Sequence, residues 1–259
     1  MREVSYEQML PYEIVERRTK HPVAYLPLGG IEWHGEHLAT GNDALKAHRL
    51  CQLAAAKGGG IAFPPLWYGE PRDLRLMETS HDRDGRIRGK MKLPAANFKL
   101  GVFGTTGDEQ LASYQRLLMH VLIQIRTLGF KAIVIVTGHY PIREWAQPVA
   151  CEFNKRFKDC QAWAGIEYHY GPGGKPSARV SGDHAAKWET SYLMHLRPEC
   201  VDMSVFLGRS PKEKLIGVMG DDPRTTASRE LGRQACRLIV DGMIRRGHAL
   251  LRKARRLPR

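Results

Sequence analysis

The segment Phe130-Lys131-Ala132-Ile133-Val134-Ile135-Val136-Thr137-Gly138-His139 constrains the fold of this chain more than any other. Its unbroken apolar run, mostly β-branched, marks a strand buried on both faces, as at the centre of a parallel sheet. Directly before it, Asp108 to Leu128 carries Leu111, Tyr114, Leu118, Val121, Leu122 and Ile125 at helical spacing, and Gly129 suits the C-terminal cap. A helix that feeds a buried strand is half of a parallel crossover, and the rest of the chain repeats the pattern. Pro22 to Leu28 reads as a strand entering a loop at Gly29-Gly30. Ala44 to Lys57 reads as a helix with Asn42 or Asp43 as its cap, stopped by Gly58-Gly59-Gly60. Ile61-Ala62-Phe63 predicts a second strand, ended by Pro64-Pro65. A helix from about Ile142 to Phe157 leads to a strand over Ala162 to Ile166. Trp188 to Leu196 reads as a short helix, and Thr225 to Arg256 as one or two terminal helices. Near the start, Ser5-Tyr6-Glu7-Gln8 has capping-box spacing for a short helix.

Alternating strands and helices with no repeat and no long linker imply an α/β fold, a single domain over residues 1–259 with a mostly parallel central sheet. Residues 67–107, rich in Gly, Pro and charge, read as an exposed excursion. No apolar run approaches the ~20 residues that cross a bilayer, and the N-terminus lacks a secretory layout, so no membrane partner and a cytoplasmic location are expected. Cys51, Cys151, Cys160, Cys200 and Cys236 are widely spaced without a C-x-x-C pair, which suits free thiols in a reducing compartment. The formal charge of +13 is concentrated around Arg83–Lys92 and in the C-terminal run Arg245 to Arg256. Such a field favours anionic partners, nucleic acid among them, yet no zinc-finger or aromatic-basic RNA-binding pattern accompanies it. A solvated basic face on an enzyme is the plainer expectation.

Chemistry concentrates at the carboxyl ends of two predicted strands, where open α/β sheets bind ligands. After the first, Gly29-Gly30-Ile31-Glu32-Trp33-His34-Gly35-Glu36-His37 is followed by Asp43. Glu32 and His34 are two apart, so extended backbone turns both side chains the same way. A carboxylate, an imidazole and a second carboxylate at the start of the next helix suit Zn²⁺, Mn²⁺ or Fe²⁺. After the second strand comes His139, with Gly138 read as permitting a tight turn. His37 and Glu36 are read as supporting or structural residues. A third segment, Ser181 to Ser191, places His184 before a helix and Glu189 on it, positions for a proton-transferring histidine and a further carboxylate, and on spacing alone equally for a capped surface helix.

These motifs resemble the creatininase family. Leu26 to Leu38 is similar to the family's L-P-x-G-x-x-E-x-H-G-x-H-L signature, with Gly41-Asn42-Asp43 where the family has a metal-bridging aspartate. Phe130 to His139 is similar to the strand leading to the family's N-G-H motif, and Asp183 to Ser191 resembles its E/D-H-A-G-x-x-E-T-S segment. The order and spacing match over roughly residues 20 to 200. The resemblance implies a layered α/β/α fold and homo-oligomers, often hexamers. It also implies hydrolysis of a C–N amide bond in a small molecule (cyclic amide, formamide or peptide-like) by a metal-activated water. On that reading Glu32, His34, Asp43 and His139 bind one or two divalent ions, Zn²⁺ or Mn²⁺ with Fe²⁺ also compatible, and Asp43 bridges them. Glu189 completes the site and His184 carries a proton to the leaving nitrogen.

The chain departs from the family pattern in three places. Thr137-Gly138-His139-Tyr140-Pro141-Ile142 lacks the carboxylate that creatininase itself carries two places after the histidine, which shifts weight onto Glu189 and argues against creatinine as substrate. Ala185-Ala186 stands for the family's Ala-Gly. After Tyr68-Gly69 the usual Ser/His stretch and F-P-G-T turn are replaced by Glu70-Pro71-Arg72-Asp73-Leu74-Arg75 and later Gly101 to Thr106. There Arg72, Arg75, Arg83 and Arg86 are candidates for holding an anionic substrate group, against the plainer expectation of a solvated loop. A second reading at this stage is a catalytically inactive or repurposed family member that binds an anionic partner through its basic surface.

Overall fold

The computed structural model describes residues 2–69, 82, 84–94, 96 and 104–256. Its sheet contains β1 (Val23–Leu28), β2 (Ile61–Ala62), β3 (Ala132–Thr137) and β4 (Gln161–Gly165), all parallel, in the order β2-β1-β3-β4. The helices of the first half are α1 (Pro11–Lys20), α2 (Asn42–Gly58), α3 (Arg86–Lys90) and α4 (Gly107–Thr127). Those of the second half are α5 (Tyr140–Arg156), α6 (Glu167–Tyr170), α7 (Lys187–Leu196), α8 (Pro223–Thr226) and α9 (Arg229–Arg256).

Strand β3 shows why three layers form. Ile133 and Ile135 turn to one face and pack with Leu118, Leu122 and Ile125 of α4 and Ile142, Ala146 and Phe153 of α5. Val134 and Val136 turn to the other and pack with Leu50 and Ala54 of α2, Tyr192 of α7, and Ile239 and Met243 of α9. A strand covered on both sides has no solvent face to mark with polar residues, which explains its unbroken apolar run. The layered α/β/α arrangement is thus observed. The strand order reverses between β1 and β3, and that switch point opens a crevice beyond the strands' carboxyl ends. The pair runs in register from Val23–Ala132 to Leu28–Thr137, so both strands deliver their loops at the same level.

Several local expectations change. The N-cap of α2 is Gly41, and Asn42 and Asp43 lie inside the first turn, both buried. Tyr6–Gln8 forms only a 3-10 turn, with no side-chain cap from Ser5. Helix α1 was not anticipated, because none of its residues is fully buried; Ile14 packs against the core, and Arg17 docks the helix by donating from Nε to the Gly60 carbonyl at 2.6 Å. Ala235, Cys236, Ile239, Val240, Met243 and Leu250 of α9 are buried in the core, and the Arg246 guanidinium lies 4.0 Å from the Trp163 ring centroid. Most of the excursion, including Arg72, Arg75 and Arg83, falls outside the described residues, while Arg86 pairs with Asp84 at 2.7 Å on the surface. Among the described residues no helix is long and apolar enough to cross a membrane, and the five cysteines are free thiols.

Candidate metal centre

Two glycines let the centre assemble. A Cβ on Gly29, just past β1, would lie 2.4 Å from Ala44 Cα, and one on Gly138, just past β3, would lie 2.0 Å from the Asp43 carbonyl oxygen. The first turn of α2 therefore rests directly on the ends of both strands, with Asp43 above the switch point. Gly138 serves this close approach as well as the two-residue bend that joins β3 to α5. His139 follows as the N-cap residue of α5, and Glu189 sits in the first turn of α7. Helix N-termini favour carboxylates, so the elements that present Asp43 and Glu189 also stabilise their charge. Asp183 is consumed locally, accepting from the backbone N–H of Trp188 at 2.8 Å and of Glu189 at 3.1 Å.

The structure brings together Glu32, His34, Asp43, His139 and Glu189, all buried, with His184 at their edge. Asp43 stands at the middle and uses its two oxygens differently. Oδ1 faces His34 Nε2 at 3.1 Å, and Oδ2 faces His139 Nδ1 at 3.0 Å. On one side His34 Nε2 also meets Glu189 Oε2 at 3.4 Å; on the other, His139 Nδ1 meets Glu32 Oε1 at 3.0 Å. Two arms result, His34–Asp43–Glu189 and Glu32–Asp43–His139, each with ligand atoms close enough to hold one metal ion. A third grouping, Glu32–His34–His184, adds His184 Nδ1 at 3.6 Å from Glu32 Oε1.

Hydrogen bonds orient these rings. His34 Nδ1 lies 3.2 Å from the Glu32 carbonyl, an acceptor only, which turns Nε2 inward. His184 Nε2 lies 2.8 Å from the Trp33 carbonyl, which assigns its proton there and presents Nδ1 to the cluster. The His184 side chain is the least enclosed of the six, at 12% exposure against 5% or less for the others.

Four surrounding residues complete the centre: Asn42 and Thr190 lie within the quoted motifs, and Lys46 and Glu167 lie outside them. Asn42 Nδ2 donates to Asp43 Oδ1 at 3.2 Å. Lys46, one turn after Asp43 on α2, is fully buried, with Nζ 2.5 Å from Glu189 Oε1 and 3.0 Å from Glu167 Oε1. Glu167 starts α6 just beyond β4, the same strand-end position that His139 holds beyond β3. A lysine among Ala44, Ala47 and Leu50 on the buried face of α2 was the available signal for the first, and strand-end placement for the second. Thr190 Oγ1, next to Glu189, lies 2.8 Å from His37 Nε2, so His37 anchors α7 instead of joining the cluster. Glu36 points away into a surface pair with Arg209 at 2.5 Å and Lys90 at 2.9 Å.

Burial sets the electrostatics. By itself it would raise the Asp43 and Glu189 carboxyls; the His34 imidazole, with His139 and Lys46, holds Asp43 well below its usual range, and Lys46 and His34 pull Glu189 down to about 2. Burial would depress His34, but Asp43 and Glu189 hold it well above its ordinary value. Glu167 is pushed up to about 7 by burial, with Lys46 opposing, because the ammonium makes its shorter contact to Glu189 and neither Glu167 oxygen gains a well-formed hydrogen bond. Four buried carboxyls, Glu32, Asp43, Glu167 and Glu189, share the centre with one ammonium, which contacts the last three, and with the raised His34 imidazole, and carboxylates so enclosed favour a bound cation. His34 Nε2 is fully enclosed without a well-formed hydrogen bond while three carboxylate oxygens surround it, and the donor set is the mixed nitrogen and oxygen set of Zn²⁺ and Mn²⁺ sites. The residues fit divalent cations.

Comparison with known proteins shows the fold and the family. A 3-dehydro-scyllo-inosose hydrolase from Thermotoga maritima is 24% identical over 219 residues, 81% of this chain and 61% of that protein. The chain thus spans less than two thirds of that relative. The creatinine amidohydrolase of Pseudomonas putida is 24% identical over 248 residues, 85% of this chain and 86% of the enzyme. A crystal structure of creatinine amidohydrolase superposes with a TM-score of 0.67 at 19% identity, covering 93% of this chain and 95% of the other. A Zn–Zn form of a creatininase variant superposes at 0.68, with 19% identity and the same coverages, and a Mn form at 0.67, with 18% identity and 93% and 96% covered. The family model described as Creatininase: Creatinine amidohydrolase matches residues 7–246, and the chain belongs to the creatininase family.

Proposed function

We propose that this protein hydrolyses a C–N amide bond in a small molecule at a divalent-metal centre built on Asp43. The observation that carries this reading is the division of Asp43: one carboxylate oxygen serves His34, the other His139 and, beside it, Glu32. Glu32, His34, Asp43, His139 and Glu189 would hold Zn²⁺ or Mn²⁺, one or two ions per chain. The chemistry such ions supply is activation of water near neutral pH and polarisation of an amide carbonyl. Asp43 and Glu189 remain ionised because neighbouring positive groups hold them low, so both offer charge throughout the neutral range. His184, its Nε2 committed to the Trp33 carbonyl, moves a proton at Nδ1, where it can protonate the departing nitrogen. It is also the member nearest solvent, as a group that meets substrate must be.

Pro141 stands where creatininase itself carries a carboxylate, and the segment after Gly69 differs from the family pattern. Both support an amide other than creatinine. The two curated relatives are named for different substrates, so neither name transfers. The purified chain, assayed against cyclic amides, formamides and short peptides, is expected to hydrolyse a member of one class. That activity should disappear with a chelator and return with Zn²⁺ or Mn²⁺. Activity that persists in the metal-free chain would contradict the mechanism.

A further inference from the structure

Lys46 is a cation built into the centre. It leaves α2 one turn after Asp43, so both side chains reach the cluster from the same helix face. Its ammonium is fully buried, 2.5 Å from Glu189 Oε1, 3.0 Å from Glu167 Oε1, 3.8 Å from Asp43 Oδ1 and 5.1 Å from the Tyr140 ring centroid. The two arms therefore differ. Glu189 divides its carboxylate: Oε1 takes the ammonium, while Oε2 accepts from Ala185 N at 2.8 Å and faces His34 at 3.4 Å. The ammonium lies on the Oδ1 side of Asp43, the oxygen that serves His34. The opposite arm draws on Glu32 Oε1, Asp43 Oδ2 and His139 Nδ1. An ion held by His34 must share the charge of Glu189 with a fixed monovalent cation, and in a buried setting two cations on one carboxylate repel strongly. Glu167 offsets part of that repulsion by facing the ammonium from the other side.

We propose that Lys46, braced by Glu167, is a positioning residue that makes the His34–Asp43–Glu189 arm the weaker of two divalent-ion positions, so that the centre fills in two separated steps. The inference rests on the metal reading given above. It is specific to the side chains of this chain, because it follows from a lysine and a glutamate that the family motifs do not contain.

Calorimetric titration of the full chain with Zn²⁺, repeated with Mn²⁺, tests it on wild type, Lys46→Met, Glu167→Gln and the double variant. In wild type the two steps are expected to differ by at least about tenfold in affinity, and Lys46→Met to tighten the second by about tenfold, within the usual range of coupling between two bound cations. Glu167→Gln should loosen the second step, since the ammonium then bears more fully on Glu189. A merely structural role would loosen it in every variant, so the opposite signs separate the two accounts. If Lys46→Met fails to fold, the double variant, which removes the ammonium together with a facing carboxylate, must show the tightening. Coincident steps in wild type, or a second step unchanged or weakened in the folded Lys46 variants, overturn the inference and leave the metal reading standing. Failure of wild type to bind either ion overturns both.

Discussion

Glu189 and Glu36 make nearly the same local contact and live in different electrostatic worlds. Each holds a basic side chain at 2.5 Å, Lys46 in one case and Arg209 in the other, and each carboxyl is held at about 2. Glu36 lies at the protein's edge, where water screens it and Lys90 supplies a second cation. Glu189 is enclosed with three other carboxyls, one ammonium and the His34 imidazole, so its charge is met by buried neighbours and not by water. Exposed ion pairs contribute little because solvent offers each partner an equivalent environment. A buried excess of carboxylate creates demand for a cation, which a bound metal ion can meet.

That contrast can be broken at several depths. The largest effect is expected at His184, whose replacement by Asn should lower turnover by about 10²–10⁴-fold while ion content stays at the wild-type level; steady-state kinetics beside elemental analysis reads both. Next comes Gly138→Ala. The added Cβ would collide with the Asp43 backbone, so destabilisation of about 3 kcal/mol is expected together with weakened ion binding, seen in urea midpoints and metal content.

A smaller and pH-dependent effect is expected at His37, whose burial lowers it to about 4 from an ordinary 6.5. The stability gained from keeping this imidazole neutral is fully present above pH 6.5 and is lost as pH falls toward 4, since the unfolded chain takes the proton first. Between pH 7 and pH 4 wild type should lose on the order of 3 kcal/mol that His37→Gln does not lose, a convergence that paired denaturation series would reveal. The smallest effect belongs to Glu36→Gln, with a cost of about 1 kcal/mol or less and no change in ion content. A loss of ions there would erase the distinction between the two regions.

Much of this architecture was legible in the chain itself. The run over Ala132 to Val136 announced a central parallel strand because a strand covered on both faces must be apolar throughout, and the structure packs helices on both sides of it. Glu32, His34, Asp43 and His139 could be proposed together because strand ends and the first turn of a helix deliver side chains to one edge of the sheet, whereas Glu189 joined them only through the resemblance of Asp183 to Ser191 to the family's segment. The second ring was harder to see. Lys46 lies on the buried face of α2, where a lysine reads as an interruption, and its partners Glu167 and Glu189 lie more than a hundred residues away. Helix α1 escaped because it is short and none of its residues is fully buried. At the basic C-terminus charge dominated the reading, and the structure adds that the apolar face of the same helix belongs to the core.

The central claim is that Asp43 joins two cation-binding arms, and elemental analysis of purified wild type against Asp43→Ala tests it most directly. Wild type should carry one to two divalent ions per chain, and the variant should lose them while retaining its secondary structure. A folded variant with undiminished metal content, or a wild type that takes up neither Zn²⁺ nor Mn²⁺, would contradict the account.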